Sequence, residues 1–303
     1  MRISTQAAAQ AALTDLMRSQ RDAYDAREQL ASGKIAPDLK GYANSAETII
    51  NARSAQTRTD SFIQANDRVM NRLEIQDLAY EQLSDATTEL RTALTTTDGT
   101  FLMDKVQEVF DRASAALNMR FNGSYVFGGV RTDAIPMTAD TIADLQAAVP
   151  DVSGVFENAD RRQTTLIEAE ISVELNSTAS EVGQELMASI ERIADFDAGP
   201  NGPFDGQITA AQQAFLETEI NNVLNAFEKI NVAQGENGAR QSQLENANVG
   251  HTKRSDYLAI MISGLEDADM AETATRFQQA QTAVQVSAQT FSTLTQVSLL
   301  NFL

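Results

Sequence analysis

The sequence predicts a mainly α-helical protein, in which long helices from both ends form an antiparallel coiled-coil bundle with a small central α+β domain inserted. Three observations lead to this fold class. Apolar residues recur three and four positions apart through the first hundred residues. Four of the five prolines lie between Pro136 and Pro203, and none follows Pro203. The two ends therefore share a helical character that the middle lacks, and we expect them to pack together.

The N-terminal part is predicted to consist of two helices with a break between them. Gly33, Pro37 and Gly41 cluster in the break, and a second helix is expected over about 45–96. Steps of four and three alternate through this helix, which predicts a coiled-coil-like seam. The seam comprises Phe62, Asn66, Val69, Leu73, Gln76, Tyr80, Leu83, Thr87, Leu90 and Leu94.

The middle of the chain alternates short elements with turns. A helix is predicted over 101–120, followed by one short strand between turns at 122–129. Residues 163–175 alternate apolar and polar side chains, which predicts a single half-buried strand. A helix is expected over 181–195 and a loop over 197–206. From 208 onward the chain is again predicted to be helical, punctuated near its middle by Gly235 and Gly238.

Both ends of the chain lack charge. Residues 277–303 contain no charged side chain but ten large apolar ones, and residues 3–14 are similar. A helix at a protein surface usually carries a charged face, whereas a face of amide and hydroxyl groups can be buried when each group finds a hydrogen-bond partner. We therefore expect both ends to be loose in the monomer and to become ordered on assembly.

Two other interpretations of the chargeless ends are open. The last helix could be an ordinary buried terminal helix of a monomeric bundle. It could also be membrane-active, but the chain contains no Trp, and this segment is rich in Gln, which disfavours a lipid contact.

Composition excludes several classes of function. The net charge of −19 repels the phosphates of nucleic acids and anionic lipid surfaces, so neither nucleic-acid nor membrane binding is expected. The absence of Cys excludes disulfides and cysteine-based zinc sites. No secretory signal peptide is evident at the N-terminus, so an exported protein would need another route.

Candidate chemistry is sparse. Glu266, Asp267, Asp269 and Glu272 place four carboxylates within seven residues, but on one helix they would spread over more than one face, which favours a solvated or subunit-contacting face over a calcium site. His251 is the sole histidine and is expected to be a surface or packing residue. We therefore predict no enzyme activity, no metal site and no cofactor.

Particular stretches of the sequence are similar to a known family. Residues 265–272, Leu-Glu-Asp-Ala-Asp-Met-Ala-Glu, resemble the C-terminal signature of the flagellin superfamily, and residues 30–34, Leu-Ala-Ser-Gly-Lys, resemble its Leu-Ser-Ser-Gly-Lys stretch. Within the superfamily, three features resemble the hook-associated protein 3 family, which joins the flagellar hook to the filament. They are the start at 1–6, the Gly-rich turn at 122–129 and the final Phe302-Leu303 pair.

The resemblance implies an architecture and a location. It implies terminal helices at 1–44 and 266–303 that line a hollow tube, a helical bundle at 45–130 and 207–265, and a central outward-facing α+β domain at 131–206. It also implies an extracellular place at the hook–filament junction, reached by flagellar type III export without a cleaved signal peptide. The implied partners are hook-associated protein 1, flagellin, copies of the chain in a ring, and an export chaperone.

The terminal helices are the predicted assembly interface, because they combine apolar side chains with an absence of charge. Its residues are Ile3, Leu13, Leu16, Leu30, Phe277, Val284, Phe291, Leu294, Leu299, Leu300, Phe302 and Leu303. The alternative functions are a filament-forming flagellin with the same fold and, more remotely, a soluble helical protein unrelated to flagella.

Overall fold

The computed structural model describes the backbone of residues 2–175 and 177–300, and the side chains of 7–175 and 177–294. The chain is 72% helical, as the sequence predicts, with two small antiparallel sheets in its central region. Its helices are α1 (Arg2–Ser32), α2 (Ala46–Ala93), α3 (Leu102–Leu117), α4 (Ile142–Gln146), α5 (Ala179–Ala198), α6 (Ala210–Glu266) and α7 (Met270–Leu300). Its strands are β1 (Arg120–Phe121), β2 (Ser124–Tyr125), β3 (Thr164–Glu168) and β4 (Ile171–Glu174). None of the described helices is both long and apolar enough to cross a membrane.

Contacts divide the chain into two compact units. The first unit contains residues 1–60 and 253–303, and the second contains residues 61–252. Helices α2 and α6 contribute residues to both units. The division into three parts inferred from the sequence stays a prediction.

The hydrophobic core lies in the second unit. The seam predicted along α2 is confirmed, because its positions from Leu73 to Leu94 are all buried, while Phe62 and Val69 are half-buried. The polar seam residue Thr87 is satisfied inside the bundle, because its Oγ1 donates to the carbonyl of Leu83 at 2.6 Å. Such bonds allow a polar residue to occupy a core position at little cost.

Helices α3 and α5 also pack into this core. The apolar face predicted for 101–120 is confirmed, because Val106, Val109 and Phe110 are buried together with their neighbours on that face. A Cβ at Gly183 of α5 would lie 2.6 Å from Leu117 of α3. Glycine therefore allows the two helices to approach more closely than any other residue would.

The first hairpin differs from the predicted single strand. β1 and β2 pair around Asn122-Gly123, and both turn residues have positive φ, of 49° and 81°. This is the backbone conformation of the two-residue turns that join right-twisted strands. The short strand predicted between turns within 122–129 is confirmed as β2, whereas its partner β1, at the end of the predicted helix 101–120, was not predicted.

The single strand predicted over 163–175 is wrong. β3 and β4 form an antiparallel hairpin that reverses at Ala169-Glu170, with a bulge between Leu166 and Glu168. Ile167 and Val173 are buried, whereas Ala169 and Ile171 are exposed. The apolar alternation continues across the turn by coincidence, and it therefore conceals the reversal.

Helices α2 and α6 both bind this hairpin through side-chain hydrogen bonds. The carbonyl oxygen of Ile167 accepts one hydrogen bond from Nδ2 of Asn66, at 3.2 Å, and forms a second with Nε2 of His251, at 2.9 Å. The His251 ring also stacks on Phe62, with ring centroids 5.4 Å apart. Of the two roles predicted for His251, the structure confirms packing, because the residue is buried.

The C-terminal helices break at a different place from the one predicted. α6 runs through Gly235 and Gly238 without interruption, so those glycines do not punctuate it. The chain breaks instead at 267–269, between α6 and α7. The oxygen Oδ1 of Asp269 accepts from the backbone N–H groups of Ala271 and Glu272, at 2.9 and 3.1 Å. Asp269 is thus the N-terminal cap that starts a new helix.

Candidate assembly interface

The first unit is built on a pair of antiparallel terminal helices. α1 packs against α7, with Gln29 beside Arg276 near one end of the contact. The least exposed positions of each helix step by three and four, which is the spacing of a coiled-coil seam. On α1 they are Ala9, Ala12, Leu16, Ser19, Ala23, Ala26 and Leu30; on α7 they are Thr273, Phe277, Ala280, Val284, Ser287, Phe291 and Leu294.

This seam buries little apolar surface. Its fully buried residues are small, namely Ala12, Ala26, Thr273 and Ala280, while Phe277 and the other large seam residues remain partly exposed. Both hydrophobic clusters found among the described residues belong to the second unit. The terminal helices are therefore paired without having a core of their own.

Large apolar side chains also line the outside of the pair. Leu13, Met17 and Tyr24 follow one exposed stripe of α1, where Met17 and Tyr24 are 59% and 65% exposed. On α7, Val286 is exposed beside Gln279 and Ala283. Isolated exposed apolar residues are ordinary, but a stripe of them on a helix marks a contact surface.

The charge of the chain is concentrated in the second unit. The first unit has 12 Asp and Glu residues against 11 Lys and Arg residues, and the second has 30 against 12. The two units therefore carry net charges of −1 and −18, which together give the −19 of the whole chain. Copies of the first unit can approach one another without electrostatic repulsion, whereas copies of the second unit repel each other.

An ionic cluster within the first unit fixes the break between α6 and α7. Glu266 is 1% exposed and pairs with Nζ of Lys34 at 3.2 Å and with Nη2 of Arg53 at 2.6 Å. Lys34 also pairs with Asp267 at 2.7 Å. Two backbone hydrogen bonds add to this cluster. The Ile35 N–H donates to the carbonyl of Glu266, and the Ala268 N–H donates to the carbonyl of Gly33. The loop after α1 is thus held against the break; we call this arrangement the elbow.

Charge pairing shifts the pKa values of two elbow residues, Asp267 and Lys34. The pKa of Asp267 lies below its usual value, first because the Lys34 ammonium donates to it and then because the Ser263 hydroxyl does. The pKa of Lys34 is raised, chiefly by its hydrogen bond to Asp267. Both shifts favour the charged forms of Asp267 and Lys34.

Three of the four carboxylates at 266–272 are exposed, as the sequence predicted, whereas Glu266 is buried, and the four do not lie on one continuous helix. Glu266 is buried in ion pairs, Asp267 bonds Lys34, and Asp269 caps α7. The reason is that the helix ends between them, so the residues do not share one helical surface. The described residues contain no group of three or more His, Asp or Glu side chains placed to hold a metal ion.

Six of the seven predicted interface residues whose side chains the structure describes lie on the seam within the chain. Leu16, Leu30, Phe277, Val284, Phe291 and Leu294 are half-buried there, whereas Leu13 lies on the exposed stripe. The side chains of Ile3, Leu299 and Leu300 are outside the described residues, as are Phe302 and Leu303. Sequence reasoning missed Met17 and Tyr24, although their spacing of seven could have indicated a second face.

Family comparison agrees with this arrangement of terminal helices. Residues 220–303, which include most of α6, the elbow carboxylates and α7, match the C-terminal helical region of bacterial flagellin. Over these residues the chain is similar to bacterial flagellin. The resemblance inferred from the sequence is therefore confirmed.

Solved structures of flagellar proteins share the fold of this chain. A structure assigned as a flagellar hook-associated protein of Vibrio parahaemolyticus is 14% identical, covers 73% of this chain and 97% of its own, and has a TM-score of 0.61. FlgL of Bacillus cereus is 9% identical, covers 66% of this chain and 98% of its own, and has a TM-score of 0.51. At these identities the likeness concerns the fold. No curated protein matches the sequence.

Proposed function

We propose that this flagellin-superfamily chain is the structural subunit that joins the flagellar hook to the filament. The observation that carries the proposal is the near-neutral first unit, whose terminal helices leave large apolar side chains exposed. The fold shared with a hook-associated protein and with FlgL supports a hook-associated role over other roles in the superfamily.

The proposed mechanism is mechanical. The terminal helices pack against the corresponding helices of neighbouring subunits and complete the burial that the α1–α7 seam leaves unfinished. Hook-associated protein 1 lies on one side of the ring of copies and flagellin on the other. The acidic second unit, with its central α+β part facing outward, stays apart from its neighbours because like charges repel.

Export precedes this assembly in the proposal. The chain leaves the cell unfolded through the flagellar type III apparatus, and a cytoplasmic chaperone covers α7 before export. The Gln-rich part of α7 that follows Arg276 carries no charge, which suits both contacts, since it can be buried in either without leaving a charge unpaired.

Immuno-electron microscopy of intact flagella tests the location. An antibody against the second unit should label one narrow band between hook and filament. Labelling along the whole filament would contradict the proposal, and so would the absence of label from flagella of cells that export the protein.

A filament-forming flagellin is the second candidate, because the matched family is the flagellin C-terminal region itself. Seeded polymerisation separates the two. Purified chain added to filament seeds should cap them as a junction subunit does. Long filaments grown from this chain alone would establish the flagellin role instead.

A further inference from the structure

A groove between the terminal helices has no assigned occupant. It has a volume of about 520 Å³, and its floor is formed by the small side chains of Ala26, Ala280 and Ala283. Asp22 and Asp25 stand on its α1 wall, where both are exposed and neither forms an ion pair with any described residue. We call this feature the alanine groove.

A face of α6 in the same unit has the complementary character. Lys253, Tyr257 and Ile260 recur at helical spacing, and Arg254 lies beside them. Tyr257 is 68% exposed and Ile260 is 73% exposed. Lys253 and Arg254 are exposed and form no ion pair within the described part of the chain. We call these four residues the α6 stripe.

We propose that the α6 stripe of one copy docks into the alanine groove of the next copy. The inference rests on the proposed function, since it names the surfaces through which the ring would form. Tyr257 and Ile260 cover the alanine floor, while Lys253 and Arg254 meet Asp22 and Asp25. Tyr and Arg are the residue types that dominate the energetics of protein interfaces, because they bury a large area and still offer polar groups.

Neighbouring charges of the opposite kind do not cancel this match. Arg276 on the α7 wall of the groove already donates to Oε1 of Gln29 at 2.6 Å and lies 4.0 Å from Glu272. On the α6 side, Asp256 is the one acid in the same turn as the two cations Lys253 and Arg254, and no described residue forms an ion pair with it. The rim of the alanine groove therefore stays acidic, and the α6 stripe stays basic. The attraction between these opposite charges orients the two surfaces as they meet.

Gly264 supports a close approach at the end of the α6 stripe. It lies four positions after Ile260 in the interior of α6, where a glycine costs about 0.5 to 1 kcal/mol relative to alanine. Nothing in the described chain lies within 4 Å of the position that its Cβ would occupy, so packing within the chain does not require a glycine. The open space leaves room for a partner backbone at this turn, as it also does at Gly235, Gly238 and Gly250.

The two surfaces differ, so the contact is heterologous. Each copy offers one α6 stripe and one groove, and repetition of the contact generates a ring or a helix rather than a closed two-fold dimer. This is the kind of contact that a ring of junction subunits requires.

Cysteine cross-linking tests the contact directly, because the chain contains no natural Cys. We would mix full-length Tyr257→Cys protein with full-length Ala283→Cys protein at high concentration and oxidise the mixture. Mixed disulfide dimers should form at least five times faster than in a mixture in which Lys40→Cys, an exposed position outside both surfaces, replaces Tyr257→Cys. Equal rates in the two mixtures would overturn the proposal.

Charge exchange gives an independent test of the same contact. Reversing Lys253 and Arg254 to Asp, or reversing Asp22 and Asp25 to Lys, should weaken self-association at least tenfold in sedimentation experiments, and mixing the two variants should restore it. Failure of the mixture to restore association would overturn the proposal. Immunolabelling of flagella distinguishes failure of this contact from failure of the proposed function. If the charge-reversed variants still form a labelled band at the junction, the docking contact is wrong and the junction role still stands.

Discussion

Glu266 and Lys34 are 232 positions apart in the sequence, yet Nζ of Lys34 lies 3.2 Å from Oε2 of Glu266. The carboxylate is buried, while Lys34 is 41% exposed and Arg53, the second cation, is 57% exposed. The elbow therefore depends on a buried anion between two cations that reach water. This asymmetry means that the partners are not equivalent in their contribution to stability.

Removing the cations should cost more than removing the anion. In the double variant Lys34→Met/Arg53→Met the buried carboxylate has no partner, and we expect a loss on the order of 3 kcal/mol. In Glu266→Gln both cations rehydrate, and we expect a loss of about 1 kcal/mol. Hydrogen exchange at the Ile35 and Ala268 amides, which bridge the elbow, measures both losses.

A surface ion pair supplies the control. Lys105 pairs with Glu108 on α3, and both side chains are about half exposed. Lys105→Met should change the free energy of unfolding by no more than about 0.5 kcal/mol. If Glu266→Gln proved costlier than the double variant, our account of the elbow would be wrong.

Acid should open the elbow. The folded-state pKa of Asp267 lies below its usual 3.8, so its contribution to stability is present above about that pH and is lost as the pH falls through the lower, folded value. Exchange at the Ile35 and Ala268 amides, after correction for intrinsic rates, should therefore accelerate below pH 4. Asp267→Asn should remove this pH dependence, and an unchanged acid profile in that variant would assign the transition to another group.

His251 should be needed for the β3–β4 hairpin but not for the helices beneath it. His251→Phe keeps an aromatic ring against Phe62 but removes one of the two hydrogen bonds to the Ile167 carbonyl. We expect a loss of about 1 kcal/mol and faster exchange confined to the hairpin amides. His251→Gln, which keeps a donor, should recover part of the loss. Equal acceleration in α2 and α6 would refute a local role.

Tyr80 should make the fold sensitive to alkali. Burial raises its pKa to about 12 from the usual 10.0, so the phenol ionises first in the unfolded chain. Its effect on stability is absent below pH 10, and the folded state then loses up to about 1.4 kcal/mol per pH unit between 10 and 12. Denaturant unfolding at pH 9, 10, 11 and 11.5 should show this fall relative to Tyr80→Phe. Parallel curves for the two proteins would contradict it.

The sequence predicted those parts of the fold in which one periodicity runs over a long distance. The seam of α2 and the apolar face of α3 follow from steps of three and four, because burial on a helix has that period. The hairpin at 164–174 could not be predicted in the same way. Its turn of Ala169 and Glu170 lacks glycine and proline, and the alternation continues through it.

The candidate interface was only partly predicted, again because spacing along the sequence does not specify every contact. Chargeless ends identified α1 and α7, but the same residues serve the seam within the chain, and spacing alone does not say which helix they face. The elbow was missed because the break at 267–269 contains neither proline nor glycine. Asp269 followed three positions later by Glu272 has the spacing of a helix-capping pair, and that signal could have located it.

Hydrogen exchange of the terminal helices before and after assembly tests the central claim most directly. The account predicts that amides of 7–14 and 277–294 exchange rapidly in dilute monomer and become protected when the chain is assembled into flagella, while the second unit is protected in both states. Terminal helices that are already fully protected in the dilute monomer would contradict it.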